Sequence, residues 1–421
     1  MATKSKNNNF ANIVLYALCI LVVIGIAALL WTNSLQRNEM FRDEYFMNVM
    51  STLLDKKPAN ITESDLAQIK YLSLNYAVSD ENGNSMITAQ IGYDEAIAAL
   101  KEGSNETKTE VCALAAELTD FSDIKYFTGL RALVVTSSKL ENLDFALAST
   151  ELEYLYLTSE NLSDISKIGT FTKLNEASFS GAKLKDVSAV ADCKQLTGLY
   201  VSGNEIEDVS MLSSLTKLEY LDLSDNEKIE NISSVSELTS LKAFAFDKTS
   251  VSDITPLEKL TNLESISFSE AKVKDLNALK DCTKITTLVA SKNTIFDISA
   301  IAGMTNMQSL DLGENEIEDI SALSEMTKLQ YCYLNDNKIK DVSALAKAEE
   351  MYLLYLTGND ELKDVTPIQP LIDKYEKGDG SCYVFLPESL TKKDDETETE
   401  TDTKTETDTK TETDIETETA E

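Results

Sequence analysis

Met307-Gln-Ser-Leu-Asp-Leu-Gly-Glu-Asn-Glu-Ile-Glu-Asp-Ile-Ser-Ala-Leu323 has a near copy 22 residues on, Leu329-Gln-Tyr-Cys-Tyr-Leu-Asn-Asp-Asn-Lys-Ile-Lys-Asp-Val-Ser-Ala-Leu345. Both follow Leu-x-x-Leu-x-Leu-x-x-Asn-x-Ile-x-Asp-Ile-Ser-x-Leu. Taking the central leucine as anchor, the register continues in both directions. It runs Leu133, Leu155, Ala177, Leu199, Leu221, Phe244, Ile266, Leu288, Leu310, Cys332 and Leu354. Every step is 22 residues except one of 23, caused by an extra residue within 225–232. A degenerate copy is expected ahead of these at Val111, with Leu118–Ile124 as its second half.

Self-similarity at a period in the twenties is the mark of a leucine-rich-repeat solenoid. Each unit is too short to bury its own apolar face, so the units stack into one continuous core. The fold class expected is an α/β repeat: a solenoid with its parallel β-sheet on the concave face, preceded by a single transmembrane helix. Within each strand, the anchor and anchor+2 point inwards and their neighbours outwards.

Two further ladders ride on the period. The fifth residue past the anchor is Asn at Asn204, Asn226, Asn293, Asn315, Asn337 and Asn359, where a buried amide would bond the backbone of the adjacent coil. Ser138, Glu160, Ala182, Thr249 and Ala271 break that ladder, so the first half should be less regular. On the return side stand Asp164, Asp186, Asp208, Asp253, Asp275, Asp297, Asp319, Asp341 and Asp364, most with Ser or Thr two residues later. Stacked carboxylates raise calcium, but no glycine-rich calcium loop accompanies them. The reading adopted has Asp bonding turn amides and Ser or Thr capping a short helical turn, with no metal and no cofactor.

These residues resemble the internalin-like bacterial leucine-rich-repeat family, within its short-repeat subclass shared with SDS22-type phosphatase regulators. The resemblance covers about Val111 to Ile368, and Asp-Ile-Ser-x-Leu is its most specific element. It implies a curved solenoid whose concave sheet binds a protein or a glycan. The chain departs from secreted internalins in showing no wall-sorting motif and no immunoglobulin-like or wall-binding domain after the repeats.

Composition narrows the function. The 421-residue chain has a net charge of −34, with 72 acids against 38 Lys and Arg. Nucleic acid and anionic lipid both require basic patches and are excluded as partners. Lys392–Glu421 contributes 13 acids and 4 Lys, so the remainder still carries −25. There is no histidine, which removes Ser-His-Asp and Cys-His nucleophiles and His-containing metal sites. No enzyme activity is expected.

Six cysteines, Cys19, Cys112, Cys193, Cys282, Cys332 and Cys382, form no close pair. Cys193 and Cys282 share one repeat position four repeats apart, about 20 Å and too far to bridge. They read as small buried hydrophobes.

Ile13–Trp31 is an uncharged apolar run, about 19 residues or roughly 28 Å as a helix, which matches a bilayer core. Lys4 and Lys6 precede it without an acid, whereas Arg37 and Arg42 are mixed with Glu39, Asp43 and Glu44 after it. The short basic head places the N-terminus inside and the repeats outside the cell membrane, as a single-pass protein. A cleaved signal peptide is the alternative, but the apolar region is long and no small-x-small cleavage site follows it.

The organisation expected is a cytoplasmic head (1–12), the membrane helix (13–31), an N-terminal cap with an insertion (38–110), the solenoid (111–368), a C-terminal cap (369–391) and a disordered acidic Thr/Glu tail (392–421). Helices are expected over Glu39–Leu54, from Ile61–Leu66 and around Tyr93–Lys101, with a strand at Ile69–Leu74 that could be a divergent first repeat. Thr366–Leu390 should close the stack with a helix and a strand.

The outward positions (anchor−1, +1 and +3) carry the candidate ligand-binding residues: Tyr154, Tyr156, Tyr200, Tyr220, Asp222, Asp311, Tyr331, Tyr333 and Tyr355. Glu176 and Asp247 share that face, and no Lys or Arg occupies these positions. Tyrosine offers a large rigid contact area and is enriched at binding surfaces, although it also suits strands as such. The partner implied is a protein with a basic patch, or a glycan stacking on the rings. Two other readings stand beside this one: a passive cell-envelope spacer, and a cytosol-facing scaffold of opposite topology.

Overall fold

The structure, a computed structural model, describes residues 38–79, 85–101, 109–114, 118, 120–376 and 382–391. The apolar run Ile13–Trp31 and the tail Lys392–Glu421 lie outside these residues. Among the described residues, no helix is long and apolar enough to cross a membrane.

The strands are β1 (Tyr71–Ser79), β2 (Ser85–Gly92), β3 (Thr109–Leu114), β4 (Ala132–Thr136), β5 (Tyr154–Thr158), β6 (Glu176–Ser178), β7 (Gly198–Tyr200), β8 (Tyr220–Asp222), β9 (Ala243–Ala245), β10 (Ser265–Ser267), β11 (Thr287–Val289), β12 (Ser309–Asp311), β13 (Tyr331–Tyr333), β14 (Leu353–Tyr355) and β15 (Tyr383–Phe385). They form one sheet in the order β15 down to β4, then β1, β2 and β3. From β4 to β15 all neighbours are parallel and the anchors pair in register, as in Leu288↔Leu310 and Leu310↔Cys332. Repeat spacing therefore sets strand register directly. Anchors and anchor+2 residues are buried, while their neighbours keep access to solvent except at Ala132, Tyr154, Gly198 and Ser224.

The strands β6 to β14 end on the same backbone event. From β6 onward, anchor+4 turns left-handed, at Gly181, Gly203, Asp225, Lys248, Glu270, Lys292, Glu314, Asp336 and Gly358. At Gly358 (φ 74°) a Cβ would lie 2.2 Å from Asp336 Oδ1 and 3.0 Å from its Cα, so close approach as well as conformation favours glycine there. The next residue is the Asn of the ladder. Asn204 Oδ1 accepts from Leu184 N (3.0 Å), and its amide donates to Phe179 O and Val201 O (both 2.9 Å). One side chain thus satisfies backbone groups of two successive coils, the bonding expected of a buried Asn. In β4 and β5, which are two residues longer, no left-handed turn occurs. Ser137 and Ser159 are the buried polar residues there, and Ser159 Oγ donates to Leu140 O (2.9 Å).

The return segments are 3-10 turns such as Ser299–Gly303 and Ser321–Leu323. The Asp ladder sits just ahead of them. Asp297, Asp319 and Asp341 each accept the amide of the residue two places on, at 2.7–2.8 Å. Asn231 does the same for Ser233 in the 23-residue coil. The expected role of Ser or Thr as the cap is corrected here, because among the described residues no 3-10 turn of the repeats is capped by its own Ser or Thr side chain. The Asp oxygen supplies the acceptor instead. These backbone bonds hold Asp164, Asp186 and Asp297 below the ordinary carboxylate value of 3.8.

The N-terminal cap departs from the expected register. Val111 lies on β3, which pairs antiparallel with β2, so it begins no repeat. The strand stacked on β4 is β1, with Leu72 opposite Leu133. The first coil therefore starts on β1, leaves through β2 and β3, and returns at the turn Ser122–Tyr126. Helix α1 (Glu44–Leu53) is capped by Asp43, which accepts from Tyr45 N and Phe46 N, and it buries Phe46, Met47, Val49, Met50 and Leu53. Helix α2 (Glu63–Ala67) begins with a Thr62/Asp65 capping box. Helix α3 (Asp94–Lys101) follows β2 directly. At the other end, α4 (Gln369–Glu376) precedes β15, and α5 (Glu388–Thr391) follows it.

Cys193, Cys282, Cys332 and Cys382 are buried and unbridged, in the small-hydrophobe role expected for Cys193 and Cys282. Burial pushes the thiols of Cys193 and Cys282 up to about 12 and about 11. Because the thiolate is the reacting form, none of the four should be alkylated in the folded protein. All four should become labelled in denaturant, as peptide mapping after iodoacetamide treatment would read. Labelling of Cys332 in the native state would contradict its burial.

Candidate functional site on the open face of the sheet

The nine candidate residues do not form one surface. Tyr154 is only 5% exposed and belongs to a small core with Tyr71, Ala96, Ile97 and Ala132. Ala96 and Ile97 come from α3, so the insertion folds over the outer side of β1, β4 and β5. That corrects Tyr154, which is a packing residue. Arg131 fastens the arrangement, reaching Glu153 at 2.6 Å and Asp94 of α3 at 3.4 Å.

Tyr156 packs against this small core and donates its hydroxyl to Glu176 Oε2 at 2.6 Å. Burial, then that hydrogen bond, pushes the Tyr156 hydroxyl far above its ordinary value of 10. Tyr200 is half-buried, and burial followed by the Glu176 charge raises it to about 12. Gly198 makes its position possible. A Cβ there would meet Glu176 Cγ at 3.1 Å and Tyr200 Cε2 at 3.2 Å, so the Tyr200 ring lies across the missing side chain. Tyr220, 40% exposed, is the tyrosine of this group that reaches solvent most fully.

The central floor, β9 to β11, presents Ala243, Ala245, Ser265, Ser267, Thr287 and Val289. Asp222 accepts from Ser224 N at 3.0 Å. Asp247 is held by Ser267 Oγ (2.6 Å) and Ser269 N (2.5 Å). Asp311 accepts from Gly313 N at 3.0 Å, and burial raises its carboxyl above the ordinary value.

At the C-terminal end the aromatic residues converge. Tyr333, Tyr355 and Phe385 occupy one register row and stack, with centroids 5.3 and 4.3 Å apart. Tyr352 meets Tyr331 at 5.6 Å and Tyr383 at 5.5 Å, both edge to face. Tyr331, Tyr333 and Tyr355 were legible from the repeat, whereas Tyr352, Tyr383 and Phe385 were missed. Tyr352 stands at anchor−2, outside the outward strand positions (anchor−1, +1 and +3). Tyr383 and Phe385 flank Val384, whose spacing from Leu354 is not that of the repeat. The aromatic content of the expected closing strand was the one available signal.

On the return side, a cleft of about 580 Å³ lies beside the extra residue, lined by Glu207, Asp208, Glu227, Lys228 and Glu230. Its carboxylates face solvent. No group of three or more potential metal ligands comes together among the described residues.

Two family models match the chain: leucine-rich repeats (two copies) over residues 194–242, and the BspA-type leucine-rich-repeat region (six copies) over residues 222–340. No curated protein matches it. Among solved structures, an internalin of Listeria monocytogenes is similar with a TM-score of 0.63 at 20% identity, covering 79% of this chain and 93% of that one. The plant peptide hormone receptor RGFR1, solved in complex with RGF2, is similar with a TM-score of 0.50 at 18% identity, covering 62% and 48%. With the repeat register and the sheet described above, these likenesses show a leucine-rich-repeat fold similar to that of the internalin.

Proposed function

We propose that this chain is a membrane-anchored, outward-facing recognition protein whose open sheet face, from β6 to β15, binds a protein ligand. The observation that carries this reading is the clustering of solvent-exposed aromatic side chains on that face. Of six large hydrophobic residues exposed among the described residues, Tyr331, Tyr352 and Tyr383 form one contiguous patch, and Tyr220 stands on the same face. Exposed aromatic clusters of this kind are costly to keep in water and mark interaction surfaces. The plant receptor of similar fold holds a peptide hormone, which fits the use proposed for this sheet. The outward orientation rests on Ile13–Trp31 and its basic N-terminal flank.

A photo-cross-linking residue placed at Ser267, in the small-residue floor, should capture a partner on intact cells. The same residue at Glu318 on the return side should not. Protease added to intact cells should remove the repeats. Capture from Glu318 with none from Ser267 would refute the binding face, and repeats that survive shaving but fall on lysis would refute the topology.

A further inference from the structure

Resting on that reading, we infer that the face is built for a cationic, extended protein segment whose Arg or Lys side chains lie on the C-terminal tyrosine terrace beside Asp311. Tyr331 and Tyr352 are 38% and 42% exposed, so their rings offer cation–π surfaces. Asp311 and Tyr333 are register partners on adjacent strands and share the outer side of the sheet. A carboxylate thus borders the aromatic terrace, the pairing that suits a guanidinium, which stacks on a ring and bonds an acid at its edge.

Charge selects among the occupants. The flanks of the solenoid neutralise themselves coil to coil, as in Lys173–Glu151, Lys242–Glu219, Lys292–Glu270 and Lys347–Glu325. No ion pair among the described residues takes in Glu176, Asp222, Asp247 or Asp311. The open face therefore keeps four carboxylates outside such pairs, and no Lys or Arg stands at its outward positions to offset them. A second copy of this chain, at −34, and the chain's own acidic tail are both repelled from it. A neutral glycan would use the rings and leave the carboxylates unanswered.

Geometry sets the length. Asp222 on β8 and Asp311 on β12 are four strand spacings apart, about 19 Å, which an extended peptide crosses in about six residues. Between them, the small floor residues leave room for the backbone of such a segment.

The test uses the full chain in detergent and fluorescence anisotropy of a labelled peptide of alternating Arg and Gly. Its twin carries citrulline in place of Arg. The Arg peptide should bind and the citrulline peptide should not. Asp311→Asn removes only the charge and keeps an acceptor for Gly313 N, and it should weaken binding about tenfold. Tyr331→Ala and Tyr352→Ala should do the same, whereas Tyr331→Phe, which keeps the ring, should restore it. Asp208→Asn and Asp297→Asn on the return side should leave binding unchanged, and all variants should unfold at the wild-type temperature.

Equal binding of the citrulline peptide overturns the inference. So does equal weakening by the return-side variants, which would show diffuse attraction. Binding of chitohexaose that needs Tyr331 and Tyr352 but not Asp311 overturns it in favour of a glycan. Where Ser267 still cross-links a partner on cells but the Arg peptide is indifferent to the face variants, the recognition reading stands and this inference falls.

Discussion

Asn226→Ala is expected to lower stability by about 3 kcal/mol, with the loss concentrated at the middle of the stack. Asn226 is fully buried. Its Oδ1 accepts from Ile206 N at 3.1 Å, and its amide donates to Val201 O and Leu223 O at 2.9 Å and to Ser224 O at 3.2 Å. Truncation strands backbone groups of two coils at once, and a buried group left unpaired costs about 1–3 kcal/mol. The sum is held down because isolated gaps are tolerated, as Ala182 and Ala271 in the same slot demonstrate.

In a one-dimensional stack the damage falls on one interface, so the urea transition should broaden or split as well as shift. Asn226→Asp should cost more at neutral pH, since it places a charge in the core and removes both donors. Burial would raise that carboxyl in the folded state, so the deficit should shrink as pH falls and protonation discharges it. A cost under about 1 kcal/mol for Asn226→Ala would show that the ladder is dispensable.

The second large effect is expected at the N-terminal cap. Asp123 is fully buried, and its carboxylate accepts from Arg42 N (2.9 and 3.0 Å) and Asp43 N (3.0 Å). Asp43 in turn caps α1, whose Phe46 ring lies 5.9 Å from Phe127 of the first coil. Asp123 thus joins the first return turn to the start of the capping helix. Asp123→Ala leaves the part-buried amides of Arg42 and Asp43 without this partner and should destabilise the cap by about 2–4 kcal/mol. Since each repeat touches only its neighbours, the loss should stay local. Amides of α1 should exchange quickly with deuterium while those of β8–β14 keep their protection. Wild-type exchange in α1 would rule out this role for Asp123.

What repeats is legible in the sequence, and what does not repeat is not. The anchors and the Asn ladder rest on contacts between residues about 22 apart, and the Asp–amide turn, local to each coil, recurs once per coil. A contact with a constant offset writes itself into the sequence as a period. Gly181, Gly203 and Gly358 even mark the left-handed turn, although charged residues fill six of its positions. Val111 was misplaced because the excursion through β2, α3 and β3 has no such offset. The strand that stacks beside β4 lies on the far side of it.

Through its 22-residue unit the sequence by itself determined the solenoid, its strand register and the internal side of each repeat strand. The tertiary structure decided which outward tyrosines are available. It sank Tyr154 beneath α3, tied Tyr156 to Glu176, and added Tyr352, Tyr383 and Phe385 to the terrace at Tyr331. The reason is physical. Register follows from interactions that recur at every coil, whereas the exposure of a side chain depends on which distant, unrepeated segment comes to rest on it.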